Sequence, residues 1–157
     1  MEFYISNRDF IKNLAINTGT TDNPSFTTMC TASELGLETD IETKDWYVFC
    51  DALQRRLSTG ASVTLTGTIK IDVNNSAITG LLDDVHTLIA DGEIAQFNNK
   101  LIQFELLTGV SGGVLEYTKY QVATNFTLSD LGGAAEDEGE FSIEMTFNGK
   151  ATEVASS

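Results

Sequence analysis

A mainly β protein with one flanking helix is the fold class that this 157-residue sequence predicts. Two observations carry the prediction. Only one stretch, Ser76 to Asp91 (SAITGLLDDVHTLIAD), repeats its apolar residues with helical period, while most of the flanking chain alternates with period two. Ile78, Leu81, Leu82, Val85, Leu88 and Ile89 gather on one helical face at about 100° per residue, with Asp83, Asp84 and Thr87 opposite. Asn74, Asn75 or Ser76 can cap the start, and Gly92 follows as a natural C′ residue. A lone amphipathic helix must bury its stripe on a sheet. The expectation is an antiparallel β-sandwich or half-barrel with a helix over about residues 76–91 packed on it.

The order along the chain supports this. Residues 1–16 suit a short helix, with Ser6 and Asp9 as a capping-box-like pair ahead of Phe10, Ile11 and Leu14. Asn17 to Ser25 (NTGTTDNPS) is turn chemistry and holds the one proline, Pro24. The apolar segment before it can pack on its own domain or reach a neighbouring subunit. From Phe26 to Glu42 the pattern is strand: Leu35, Leu37, Thr39 and Ile41 point one way, and Glu34, Glu38, Asp40 and Glu42 the other. Trp46, Tyr47 and Phe49 then crowd ahead of Arg55 and Arg56, where a strand and a short helical turn both fit. Val63 to Val73 is the cleanest strand, with Val63, Leu65, Ile69, Ile71 and Val73 inward.

After the helix, Leu101–Leu107 reads as a strand largely buried on both faces. The turn TGVSGG leads into a long strand from Val114 to about Leu128, and Asp130 to Gly139 is a loop. Phe141, Ile143, Met145 and Phe147 alternate with Glu140, Ser142, Glu144 and Thr146 in a final strand, and Asn148-Gly149 turns the chain. About six strands and one long helix result.

One domain with a full core is expected at this length. The hydrophobic fraction is 41%, and no apolar run is long enough to span a bilayer. The start, MEFYISNRDF, lacks a secretory apolar segment, so no signal peptide is expected. Cys30 and Cys50 do not make a disulfide framework and fit a reduced, cytoplasmic origin. Acidic residues number 23 against 9 basic ones, a net charge of −14, which argues against a clamp that neutralises nucleic-acid phosphates. Solubility accounts for part of that excess. Two clusters stand out: Glu34, Glu38, Asp40, Glu42, Asp45 and Asp51 against Lys44 alone, and Glu136, Asp137, Glu138, Glu140 and Glu144 with no base.

Catalytic patterns fail on inspection. Gly109-Val110-Ser111-Gly112-Gly113 matches a nucleophile elbow, but the one histidine, His86, lies upstream, whereas the elbow places it downstream. The gap from His86 to Ser111 is too short for a chymotrypsin-like barrel, and an ordinary half-buried histidine at the edge of the helical stripe is expected. Cys30, Cys50 and His86 lack a close ligand pair for zinc. The EDEGE run lacks the spaced ligands of a calcium loop. No enzyme activity, catalytic residue, metal or cofactor is expected.

The segments MCTASELGLETDIETKDWYVFCDALQ, KIDVNNSAITGLL, DGEIAQFNN, LGGAAEDEGEFSIEM and NGKATEV, taken in order, resemble the major tail proteins that build the tail tube of long-tailed bacteriophages, specifically the TP901-1-like group. The likeness runs from about Asn17 to Val154. It implies a β-sandwich with a flanking helix, assembled as hexameric rings stacked into a tube whose lumen holds a tape-measure protein and later passes DNA. The implied partners are other copies of the chain, tape-measure protein, tail-terminator and distal-tail proteins at the tube ends, and DNA in transit without tight binding. No membrane insertion is implied. The implied place is the virion tail, assembled in the host cytoplasm.

On that resemblance residues 1–24 form an N-terminal arm or linker and 25–157 the tube domain. Subunit contacts are expected at Phe3, Tyr4 and Phe10 of the arm and at Lys44, Asp45 and Trp46, because an aromatic cluster beside charges is costly to leave in water. Glu34, Glu38, Asp40 and Glu42, with Glu140 and Glu144, are lumen candidates, since carboxylates on a conduit wall repel phosphate. The exterior is the other reading for that strand. A carbohydrate-binding β-sandwich, stacking sugars on Trp46, Tyr47 and Phe49, is the alternative from a different class.

Overall fold

The computed structural model describes residues 4, 6, 9–20, 22–48 and 51–154, and the side chains of these outside 44–59. Among the described residues eight strands and one α-helix follow in order, with a short 3-10 turn at Ala95–Phe97: β1 (Ile11–Asn17), β2 (Phe26–Thr28), β3 (Ala32–Val48), β4 (Asp51–Lys70), α1 (Ser76–Asp91), β5 (Lys100–Ser111), β6 (Val114–Ser129), β7 (Glu140–Phe147) and β8 (Thr152–Val154). They make one sheet in the order β2-β1-β5-β6-β7-β4-β3, with β8 on β6, and every pairing is antiparallel. The edge strand β3 comes back close to β1, next to the opposite edge, without bonding to it as a neighbour, so the sheet curls into a half-barrel. A groove of about 650 Å³ keeps it open, lined by Lys12, Asn13, Met29, Ser33 and Leu35 among others.

Alternation puts Leu65 and Ile69 of β4, Ile102 and Phe104 of β5, Val122 and Phe126 of β6, and Phe141, Ile143 and Met145 of β7 on the concave face. α1 covers them with Ala77, Ile78 and Leu81. Its ends are those the residues dictate. Asn75 Oδ1 accepts from Ala77 N at 2.9 Å, and Gly92 takes the left-handed conformation with φ 69°. Asn75 Nδ2 also donates to Thr28 O at 2.9 Å, and Lys100 Nζ lies 3.0 Å from Asp84. These contacts tie the helix to β2 and β5.

Several expectations are corrected. The segment expected as a helix before residue 16 is strand β1 from Ile11 onward. Asn13 has φ 56° and the register with β5 shifts between Lys12 and Ala15, so a bulge brings Ile11, Leu14 and Ile16 inward together. A bulge in a strand thus imitates the i, i+3 spacing of a helix. Ser6 and Asp9 do bond, Oγ to Oδ2 at 3.0 Å, and Asp9 N donates to Ser6 O at 3.0 Å. The expected arm therefore loses its inner part: Ile11 and Leu14 belong to this chain's own core. The Asn17–Ser25 loop is knitted. Asn17 Oδ1 accepts from both Gly19 N and Ser25 N at 2.9 Å, and Thr18 N donates to Ser25 O at 2.7 Å.

Further along, Phe26–Glu42 is two strands, interrupted where Met29 turns into the core. Val73 is 73% exposed because β4 ends at Lys70 and the chain turns toward the helix. The helical stripe is only half used: Leu88 is 38% and Ile89 76% exposed, beyond the reach of the sheet. His86 is exposed rather than half-buried. GVSGG closes the β5–β6 hairpin, with Gly112 and Gly113 at positive φ.

Candidate functional site

The residue register assembles one polar face opposite the core. Across β3, β4 and β7, Glu38 aligns with Thr64 and Thr146, Gly36 with Thr66 and Glu144, and Glu34 with Thr68 and Ser142, while Lys70 stands opposite Glu140. Partners across a ladder share a face. The six carboxylates singled out from the sequence, Glu34, Glu38, Asp40, Glu42, Glu140 and Glu144, are therefore carried on one side of the sheet, and all are exposed. Hydroxyls of Thr64, Thr66, Thr68 and Ser142 fill the space between them. Along β4 and β7 the core residues Leu65, Ile69, Ile143 and Met145 take the alternate positions.

Lys70 sets a cation against the acidic surface. Lys70 Nζ is 3.1 Å from Glu138 and 3.5 Å from Glu140. Its pKa is raised, chiefly by the hydrogen bond and charge of Glu138 and less by Glu140. The pair pins the 131–139 loop to the end of β4, helped by Ile71 N donating to Gly139 O at 2.8 Å.

β3 and β4 continue far beyond the rest of the sheet. β4 pairs with β7 only from Thr64, whereas β3 and β4 pair with each other from Ala32 opposite Ile69 to Val48 opposite Asp51. Residues 39–48 and 51–63 thus form a two-stranded projection. Ile41, on its apolar side, is 57% exposed, since among the described residues no third strand or helix pairs with the ribbon there. Lys44, Asp45 and Trp46 lie in this projection opposite Leu57, Arg56 and Arg55, and their side chains fall outside the described residues. Strand is thus the form taken by the segment that sequence left open.

Of the expected arm contacts, Phe3 lies outside the described residues, Tyr4 is 83% exposed and Phe10 42%. The Phe10 carbonyl accepts from Leu107 N at 2.9 Å, so Phe10 already borders the sheet. Other apolar surface is exposed at Leu88 and Ile89 of α1, which the sequence pattern places in the inward stripe, at Ile94 just beyond the helix, and at Val110 and Val114 at the tip of the β5–β6 hairpin. The signal was present for the hairpin, since valines flanking a glycine turn have little sheet left to cover them. Among the described residues no group of His, Cys, Asp and Glu is arranged to hold a metal ion. No helix of the described residues is long and apolar enough to cross a membrane.

No family model matches the sequence, and no curated protein matches it. Solved structures do. A chain from the tail of an empty GTA particle, computed with C6 symmetry, superposes with TM-score 0.60 at 14% identity, covering 97% of this chain and 100% of that one. A chain from the sheath/tube terminator of the extracellular contractile injection system PVC in the extended state gives 0.57 at 17% identity, covering 98% and 99%. A chain from the six-fold symmetrised baseplate of the anti-feeding prophage gives 0.52 at 14%, covering 98% and 97%. At such identities the likeness is one of fold, and over nearly its whole length this chain has the fold of chains from a GTA tail, a contractile injection system and an anti-feeding prophage baseplate.

Proposed function

We propose that this chain is the structural subunit of a tail tube, stacking as hexameric rings into the conduit through which a phage delivers DNA. The observation that carries the reading is end-to-end agreement in fold with a chain of a C6-symmetric tail. The sequence resemblance to TP901-1-like major tail proteins favours a long-tailed phage as the source. In this reading the polar face bearing Glu34, Glu38, Asp40, Glu42, Glu140 and Glu144 lines the lumen. Repeated around each ring and along the tube, it becomes a negative wall that repels phosphate within about 8 Å at physiological salt.

The β3–β4 projection, with Lys44, Asp45 and Trp46, and the first ten residues, with Phe3, Tyr4 and Phe10, make contacts between subunits. Tape-measure protein occupies the lumen before DNA, and terminator and distal-tail proteins close the two ends. The role is structural, without catalysis, in a virion tail assembled in the host cytoplasm. Negative-stain microscopy of the purified protein tests this directly. Rings or tubes with six-fold symmetry are expected; featureless monomeric particles under all assembly conditions would overturn the proposal.

A further inference from the structure

Asn148 and Gly149 form the sequence's single Asn-Gly pair. Backbone geometry demands the glycine: its φ is 104°, and an added Cβ would meet nothing within 4 Å, so conformation rather than crowding selects the residue. The same lack of a side chain leaves the Gly149 nitrogen unshielded against the amide carbon of Asn148. The turn that ends β7 therefore brings a reactive pair with it.

In the fold that amide is clasped. Asn148 Nδ2 donates to Asn99 Oδ1 at 2.9 Å and to Asn125 Oδ1 at 2.8 Å. Asn99 N donates to the same Asn125 Oδ1 at 3.1 Å, and Asn148 N donates to Ala123 O at 2.8 Å. Three asparagines thus join the end of β7 to the start of β5 and the middle of β6. We propose that this clasp guards a latent deamidation site, so that Asn148 converts to aspartate or isoaspartate only when the clasp opens.

The chemistry needs water alone. The Gly149 nitrogen attacks Cγ of Asn148, the Cγ–Nδ2 bond breaks, and the proton lost from Gly149 leaves with the amide nitrogen as ammonia. Water then opens the cyclic imide at either carbonyl. Closure requires Cγ to swing onto the following nitrogen and Nδ2 to gain a proton. Two oxygen acceptors hold the side chain and supply no proton, so the folded rate is limited by the fraction of molecules with the clasp open. Reaction is self-reinforcing: the product carboxylate has no N–H for Asn99 Oδ1 or Asn125 Oδ1, and both side-chain bonds from position 148 are lost.

The test incubates the full-length protein, folded and in denaturing urea, at mildly alkaline pH, and follows the peptide spanning Asn148 by mass and by isoaspartate content. Conversion in the folded protein should be at least about tenfold slower than in urea. Asn99→Ala and Asn125→Ala should each speed it in protein shown to be folded by circular dichroism. Equal rates for folded and unfolded wild type, or a folded Asn99→Ala protein no faster than wild type, would overturn the proposal. If neither variant folds, the wild-type comparison decides alone.

Discussion

Glu144 of β7 stands directly opposite Thr66 of β4, and Thr66 directly opposite Gly36 of β3. That level of the sheet fixes which way two separate acidic stretches point. Glu34 and Glu38 flank Gly36 at period two, and Glu140 and Glu144 lie at the same parity of β7, so residues about a hundred positions apart share one surface.

From this follows the prediction on charge. Glu38→Lys together with Asp40→Lys should leave folding and tube assembly intact, because exposed strand substitutions away from packing contacts usually change stability by less than about 0.5 kcal/mol. DNA should then adhere to the wall and ejection should slow, most strongly at low salt. A density map of the tube with these side chains on the outer surface would refute the lumen assignment and leave the tube reading standing.

The projection beyond Thr39 carries the second prediction. Trp46→Ala should yield a protein with unchanged melting temperature that fails to polymerise, since Trp46 is paired only within a two-stranded ribbon away from the core. Sedimentation together with microscopy reads both properties. Normal tubes from this variant would exclude the contact.

The two halves of α1 should behave differently. Leu81 is 1% exposed, so Leu81→Ala should cost about 2–5 kcal/mol in denaturant unfolding. Leu82 is half-buried, and Leu82→Ala should cost less. Ile89 is 76% exposed, so Ile89→Ala should leave monomer stability nearly unchanged and, if the helix end meets a neighbour in the tube, weaken assembly instead. Equal losses at Leu81 and Ile89 would contradict the packing described.

At the N-terminus, removal of residues 1–8 should spare the fold while impairing assembly, whereas Leu14→Ala should destabilise the monomer, because Leu14 is 1% exposed in the core. Limited proteolysis adds a check. Cleavage of free protein should fall before Ile11 rather than in 17–25, where Asn17 holds the loop closed. Cleavage confined to 17–25 would restore the longer arm.

Lys70 gives a pH test. Its pKa is raised above the ordinary 10.5, first by Glu138, so its contribution is complete below about 10.5 and is lost as pH rises through the folded value. The group is exposed, and the effect is small. Lys70→Met should melt slightly below wild type at neutral pH, with the difference vanishing in strong alkali. A difference that persists there would point to packing of the lysine stem instead.

Local pattern was enough for much of this molecule. The helix is legible from Ser76 to Asp91 with its cap and C′ glycine, since those signals are written within one or two turns. β7 is legible from Phe141, Ile143 and Met145, and the parity of Glu34, Glu38, Asp40 and Glu42 follows from period two alone. What eluded it was long-range. The bulge at Asn13 made a strand look helical, because the bend that recovers an inward Leu14 depends on pairing with β5. The same cause hid the continuity of β3 and β4 past Trp46, where aromatics and charges carry no clean period and only cross-strand bonding makes a ribbon.

By itself, then, the sequence determined the fold class, the one helix, the alternating faces and the acidic character, all of which depend on neighbours within a few residues. Only the tertiary structure decided that Ile11 and Leu14 serve the core, that Leu88 and Ile89 do not, and that two acidic stretches lie on one face. Burial and strand order are properties of distant partners. A stripe or a carboxylate row has no inside or outside until the strand beside it is known.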